Sequence, residues 1–441
     1  MPELNTIAQH FKNAPGFNID AFIIAHEVPA VNSFRINTKK IDKSPYKFSI
    51  SVPWCSDGFY VTERPKYAQH PFWHSGAIYV QEASSMFLNE ALKQLLPLQE
   101  KIFVLDACAA PGGKSTLIAA LLSADSVLVS NEVIKSRVNV LQENLTRWGN
   151  GNSIITNCDS IQFSKLPPTF DCIVVDAPCS GSGLFRKDPN ALNEWSENNV
   201  QLCSERQQRI LSNLIPSLKS NGILVYSTCS YSIEENEIIV DWLCNQHQME
   251  VCSLCIPSEW NVFNSQPGCY RFYPNNIQGE GFFISILRKK SDVENQNKVI
   301  ASNLKLVKPE SSFTQYLREE LKYFMHNETL YALTETAFEV TELLRQYKIN
   351  LVRCGVELGE HKGSKFIPAH ALALNEVLNS NLEKREVDEA TAIQYLKKET
   401  IHIDGPLGFK LLQFKGVPIG WINVMQNRSN NMYPTAWRLL H

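Results

Sequence analysis

Two cysteines, Cys179 in DAPCSGSG and Cys229 in STCS, each follow an apolar run of the kind that forms a buried strand. A thiolate is a strong nucleophile, but a free thiol, with a pKa of about 8.5, is mostly protonated at neutral pH and needs local activation. Paired thiols suit addition to an electron-poor ring. Carbon 5 of a pyrimidine is a poor nucleophile until a thiolate adds at carbon 6, which makes carbon 5 enamine-like and able to attack an electrophilic methyl group. A base must then take the C5 proton so that the thiol can leave. Asp176, just ahead of Cys179, is placed to hydrogen-bond N3 or the exocyclic amine of the base, which favours cytosine. Strand order alone leaves open which cysteine is the nucleophile.

A methyl donor needs its own site, and the stretch LDACAAPGGKST, residues 105–116, is the candidate. Gly113, Lys114 and Ser115 match the end of a phosphate loop, G-x-x-x-x-G-K-[ST], and Asp176 at the end of CIVVD could hold magnesium as in an ATPase. Against that reading, Cys108 stands where the first glycine belongs, and Pro111 removes an amide donor. The alternative is a loop for a nucleoside-bearing cofactor. Gly112 and Gly113 would let the backbone approach it, and Glu132, ending a second apolar run, would accept hydrogen bonds from ribose hydroxyls. Asp159, ending a third, could contact an adenine amino group. With no G-x-G-x-x-G, S-adenosylmethionine fits better than a nicotinamide.

These residues must be carried by an alternating pattern. KIFVLDA, SVLVSNE, SIITNCD, FDCIVVDAPC and GILVYSTC read as buried strands, separated by helices through STLIAALL, SRVNVLQENLTRWG and residues 194–218. Leu202, Ile210, Leu211 and Leu214 are the expected apolar spokes of that long helix. SIEENEIIVDWLCNQ predicts a further helix opened by a Ser232–Glu235 capping box, and EVCSLCI and GFFISILRKK predict two last strands. The pattern predicts an α/β fold, a parallel sheet covered on both faces, with ligands beyond the carboxyl ends of its strands. All the chemistry-bearing segments should then meet at one crevice.

The chain has 441 residues, 44% hydrophobic and 20% charged, with a net charge of −3, so no polyanion partner is advertised overall. Residues 401–441 are locally basic, with Lys410, Lys415, Arg428 and Arg438 against Asp404 alone, enough for local phosphate attraction. No run approaches about 18 apolar residues and the N-terminus lacks a secretory pattern, so neither a membrane span nor secretion is expected. The twelve cysteines suit reduced cytoplasmic thiols. Cys55, Cys158, Cys172, Cys203, Cys244, Cys269 and Cys354 read as small buried hydrophobes, and the lone Cys252/Cys255 pair as packing rather than zinc.

The expected division is an N-terminal RNA-binding extension at 1–75 with basic spots at Arg35, Lys39 and Lys40, and the α/β domain at 76–290. A polar linker at 291–303 precedes a small mixed domain at 304–380 and a β-rich module at 381–441, with β-like pieces TIHIDG, FKLLQFKG and PIGWINVMQN. In the last module Trp421, Tyr433 and Trp437 interleave with Arg428 and Arg438. They suit either base stacking on RNA or the core of a small β domain.

CAAPGGK, DAPCSGSGLFRKDP and YSTCSYSIEENE together resemble the RsmB/NOP (nucleolar protein/Sun) RNA cytosine-5 methyltransferases over about residues 30–290, with FRINTKK and YVQEASS similar to further family segments. The resemblance implies a class I, Rossmann-like methyltransferase domain binding S-adenosylmethionine through Cys108, Ala109, Ala110, Pro111, Gly112, Gly113, Lys114, Glu132, Asp159 and Asp176. It implies Cys229 as nucleophile, Cys179 as the group assisting release, Asp176 as the residue orienting cytosine, and no metal. Ser182 departs from the glutamate frequent between the two glycines of the family, which bears on how the Cys179 loop is positioned. Residues 416–439 are similar to the PUA-like RNA-binding end of bacterial family members that act on small-subunit ribosomal RNA. The implied substrate is a cytosine in the decoding region of 16S rRNA within the assembled small subunit. A cytoplasmic monomer is expected, with neither DNA nor membrane as partner.

Overall fold

The computed structural model describes residues 2–290, 304–318, 321–326, 328–363 and 365–440, and the linker expected at 291–303 lies outside them. The five apolar runs form parallel strands, Phe103–Asp106, Val127–Asn131, Ser153–Thr156, Phe170–Asp176 and Leu218–Thr228. In space they run 218–228, 170–176, 103–106, 127–131, 153–156. Antiparallel strands Phe282–Lys289, Cys269–Phe272 and Phe263–Gln266 continue the sheet beyond 218–228. Successive side chains enter opposite cores, as pleating requires. Leu105, Val129, Ile173 and Val175 lie on one side, and Val104, Leu128, Cys172 and Val174 on the other.

Helices cover both faces. Glu197–Leu214 and Glu237–His247 pack on the first, and Leu88–Leu95 and Gly113–Leu121 on the second. Leu202 is not a spoke but 59% exposed, because the buried stripe of its helix runs through Val200, Cys203, Gln207, Ile210 and Leu214 at helical spacing. The EVCSLCI strand is shorter than expected, Met249–Val251. Beyond it the Leu254 amide donates to the Tyr270 hydroxyl at 2.5 Å instead of to a neighbouring strand.

The segment expected as a separate mixed domain contributes to this core. Its strand Leu351–Cys354 pairs antiparallel with Ser153–Thr156 and so covers the sheet edge. Its helix Glu335–Gln346 buries Ala337, Val340 and Leu344 in the first core. Arg353 fastens the junction by donating to Thr146 Oγ1 and Ser153 Oγ, both at 2.7 Å. Five other strands between Leu306 and Pro368 make a second sheet.

The N-terminal sheet orders Ile50–Val52, Cys55–Val61, Asn32–Ile36 and Ile78–Val80, and therefore reaches past residue 75. The C-terminal sheet orders Lys384–Val387, Gly408–Phe414, Val417–Val424 and Ser429–Asn431. TIHIDG makes no strand, since both the amide and the carbonyl of Ile403 are taken by the Ser429 hydroxyl, each at 3.1 Å. These two modules share one core, in which Phe34, Ile36 and Phe72 meet Tyr395, Leu412 and Tyr433. Among the described residues no helix is long and apolar enough to cross a membrane.

Candidate active site

The 105–116 loop is held from outside by three side chains. Arg137 Nη2 donates to the Ala110 carbonyl at 2.6 Å, Asn144 Nδ2 to that of Pro111 at 2.9 Å, and Arg35 Nη2 to that of Gly113 at 3.0 Å. Arg35 comes from the N-terminal sheet, is buried, also bonds Gln81 Oε1 and Thr116 Oγ1 at 2.6 Å, and lies 5.0 Å from the Trp148 ring centroid. The basic spots singled out in the N-terminal extension are therefore structural. Lys40 donates to the carbonyls of Ser75 and Arg147 at 2.6 and 2.7 Å, and Lys39 pairs with Glu376.

The glycines also serve the helix and its packing. Gly112 is left-handed, with φ of 111°, and caps the helix that begins at Gly113. A Cβ at Gly112 would touch Leu141, and one at Gly113 would touch Tyr79, both at 3.4 Å, so the pair packs against neighbouring protein. Neither lines the main cleft.

Asp106, missed in the sequence, anchors the same helix by accepting from Ser115 Oγ at 2.6 Å. Burial raises its carboxyl to about 7, against the lowering effect of that hydrogen bond. Its Oδ1 is buried without a protein partner. Since the folded carboxyl holds its proton more tightly than the unfolded one, this group opposes folding increasingly as pH rises from about 4 to about 7. Asp106→Asn should therefore raise the melting temperature relative to wild type more at pH 8 than at pH 5, which calorimetry at the two pH values checks. An equal effect at both would remove the carboxyl as the cause.

Beyond the carboxyl ends of the strands lies a cleft of roughly 600 Å³, and Cys108, Ala110, Asn131, Glu132, Asp159, Asp176, Cys179 and Cys229 all line it. The expected convergence of five strand ends is thus met. Cys158, read as core, also lines this wall. Ala109, Pro111, Gly113 and Lys114 instead face an adjoining cavity of roughly 200 Å³ with Tyr79 and Gln81, and Cys108, Ala110 and Asp176 border both.

The acids are suitably prepared for a nucleoside. Glu132, 3% exposed, accepts from the Ile134 amide at 2.9 Å, while its Oε2 has only Arg137 at 3.6 Å, beyond ordinary hydrogen-bond length. That oxygen retains the lone pairs a ribose diol would use. Asp159 caps the turn Ser160–Lys165 through Ile161 and pairs with Arg209 at 3.2 Å. Its slight burial favours the neutral acid, but those two interactions outweigh it and lower the carboxyl. Asp176 joins the two cavities, accepting from Ser227 Oγ at 2.9 Å and pairing with Lys114 at 2.7 Å.

Cys179 and Cys229 sit with their sulfurs 3.0 Å apart, far beyond a disulfide bond, so they are a thiol pair sharing a hydrogen. That contact, followed by burial, raises the Cys179 thiol well above its ordinary range. Ser182 is buried and accepts from the Tyr231 amide at 2.9 Å, which ties the Cys179 loop to the segment after Cys229 without a glutamate. The Ser232–Glu235 capping box does not form: the Ser232 side chain caps nothing, and the Glu235 carboxylate turns towards the cysteine loops.

The aromatics of the last module are largely core. Trp421 and Tyr433 are buried, the former donating to the Ala369 carbonyl at 2.9 Å and the latter hydrogen-bonded to His74 at 2.8 Å. Trp437 is half-buried with the Arg147 guanidinium 5.1 Å from its ring centroid, which leaves Arg428 and Arg438 exposed. Cys255, read as packing, is exposed.

A doubly covered parallel sheet with acids at its strand ends around one cleft is the architecture of a class I, Rossmann-like S-adenosylmethionine-dependent methyltransferase, and the family match agrees with it. Residues 93–288 match the family model described as 16S rRNA methyltransferase RsmB/F. Residues 5–83 match the N-terminal domain of 16S rRNA methyltransferase RsmF, and residues 383–439 the methyltransferase RsmF PUA domain. Ribosomal RNA small subunit methyltransferase F of Shewanella woodyi is 32% identical, covering 98% of this chain and 95% of its own. The protein of the same name from Aeromonas salmonicida is 31% identical, over 95% and 93%. The chain belongs to the RsmB/F methyltransferase family. Among solved structures, a methyltransferase homolog protein from Pyrococcus horikoshii is 32% identical with a TM-score of 0.53, covering 64% of this chain and 94% of that one.

Proposed function

We propose that this enzyme methylates carbon 5 of a cytosine in the decoding region of 16S rRNA, on the assembled small subunit, through a covalent cysteine–C6 adduct. The observation that carries the reading is the thiol pair 3.0 Å apart in the same cleft as Glu132 and Asp159. S-adenosylmethionine supplies the electrophilic methyl group. The Cys229 sulfur adds to C6, the displaced electron pair of the ring makes C5 nucleophilic, and C5 takes the methyl. The C5 proton then leaves to a base, the C5–C6 double bond reforms, and the Cys229 thiolate is expelled. Cys179, in contact with the Cys229 sulfur, assists at this second stage. Asp176, which lines the thiol cleft and borders the adjoining cavity, would orient the base. The target nucleotide would have to swing out of its stack to reach the cleft.

The experiment is adduct trapping. Cys179→Ala, incubated with small-subunit RNA or subunits and S-adenosylmethionine, should accumulate a protein–RNA complex that survives a denaturing gel, where wild type shows only a trace. An adduct with Cys229→Ala instead would reverse the two roles, and no adduct with either would sink the covalent route. Loss of one 5-methylcytosine from 16S rRNA of a deletion strain would identify the substrate, whereas loss from transfer RNA would redirect it.

A further inference from the structure

We infer that Glu235 is a positioning residue that clamps the two cysteine loops to each other, so that both thiols serve one nucleotide. The inference rests on the covalent reading above. Cys179 and Cys229 follow neighbouring strands whose ladder pairs end at Asp176 and Thr228, and no ladder pair includes either cysteine. Beyond them the Ala177 amide donates to the Ser227 carbonyl and the Gly183 amide to the Cys229 carbonyl, both at 2.8 Å. A sulfur contact cannot itself hold two loops in register, because a thiol is a weak donor and acceptor. The residue after each cysteine is a serine, and both serines are tied to one carboxylate. Ser180 Oγ and Ser230 Oγ donate to Glu235 Oε2 at 2.5 and 2.6 Å. The Ser180 amide donates to Oε1 at 2.8 Å, and Gln207 Nε2 to the same oxygen at 3.2 Å.

Gln207 closes the frame by also donating to the Pro178 carbonyl at 3.0 Å, so the residues on both sides of Cys179 are fixed. Glu235 is fully buried and takes these four hydrogen bonds with no cation among its donors. A buried carboxylate is stable only where its lone pairs are satisfied, so its geometry is strongly specified. Burial also raises the Glu235 carboxyl, consistent with this cation-free setting.

A displacement of reacting groups by about 1 Å can cost roughly 100-fold in rate. Glu235→Ala should accordingly lower kcat by roughly 100-fold and leave KM for S-adenosylmethionine within about twofold, since the cofactor acids lie on other strands. The covalent adduct should accumulate as in Cys179→Ala, because release needs the second thiol in register. Glu235→Gln keeps one acceptor oxygen, and the serine hydroxyls can turn to accept from its amide. It should recover kcat to within about tenfold of wild type. The paired substitution Ser180→Ala with Ser230→Ala should reproduce the adduct accumulation with the melting temperature close to wild type, and it decides the matter should Glu235→Ala fail to fold. Wild-type adduct fraction and kcat in the serine pair would overturn the clamp. Absence of any adduct in Cys179→Ala itself would instead overturn the covalent reading on which the clamp rests.

Discussion

Cys229→Ala is expected to abolish methyl transfer, by roughly 10⁴-fold or more, while S-adenosylmethionine still binds with a dissociation constant within about twofold of wild type. The expected size follows from the chemistry. Without addition at C6 the ring carbon has no electron pair to offer, and no amount of positioning replaces a missing bond. Retained binding follows from the layout. Glu132 and Asp159 belong to the ends of strands 127–131 and 153–156, whereas Cys229 follows 218–228, on the far side of the 103–106 and 170–176 strands. Removing one sulfur from a half-buried pair at the cleft wall strands no buried charge, so the fold should survive. Radiolabelled methyl incorporation and isothermal titration measure the two quantities. Turnover within tenfold of wild type would transfer the nucleophile's role elsewhere; loss of cofactor binding would mean that the cysteine loop, too, shapes that part of the cleft.

What the sequence made legible about this site depended on range. The strand ends could be read because each is an apolar run closed by polar residues, and pleated parallel strands send all such ends to one side. That placed Glu132, Asp159, Cys179 and Cys229 at one crevice without any knowledge of their contacts. Contacts made across the chain left no such trace. Nothing in FRINTKK says that Arg35 bonds Gly113, and a buried arginine looks the same in sequence as a phosphate-binding one. Trp421 and Tyr433 were open for the same reason, since aromatic residues interleaved with arginines describe a protein core as well as an RNA surface. Glu235 carried a local signal, the spacing of a capping box, and that signal pointed to the wrong partner. The edge strand Leu351–Cys354 was invisible because a short β-like piece does not announce which sheet it will join. Positions set by local pattern were readable, then, and those set by long-range pairing were not.

Arg186→Ala is expected to destabilise the protein by roughly 3–5 kcal/mol, the scale on which removing one partner strands a buried charge. Arg186 and Glu280 have side chains only 5% and 2% exposed, and the guanidinium Nη2 and carboxylate Oε1 lie 2.9 Å apart. The same guanidinium donates to the carbonyls of Gly279 at 2.8 Å and Ala25 at 3.1 Å, so it joins the segment after Cys179 to an N-terminal helix and to the turn before strand 282–289. Burial raises the Glu280 carboxyl and the Arg186 pair is the main influence lowering it, so with Arg186 gone the raising influence of burial is opposed only by the lesser one of Lys187. The sign for pH follows. In the variant the folded carboxyl would bind its proton more tightly than the unfolded one, so its penalty grows as pH rises and shrinks as the group protonates. The drop in melting temperature relative to wild type should therefore be larger at pH 8 than at pH 5. Adding Glu280→Gln to Arg186→Ala should recover part of the loss by removing the stranded charge. A variant as stable as wild type, or a double variant less stable than the single one, would mean that the pair's charges do not set the strength of this junction. Because the tether begins just beyond the Cys179 loop, the single variant should also slow turnover at temperatures where it remains folded, with cofactor affinity unchanged.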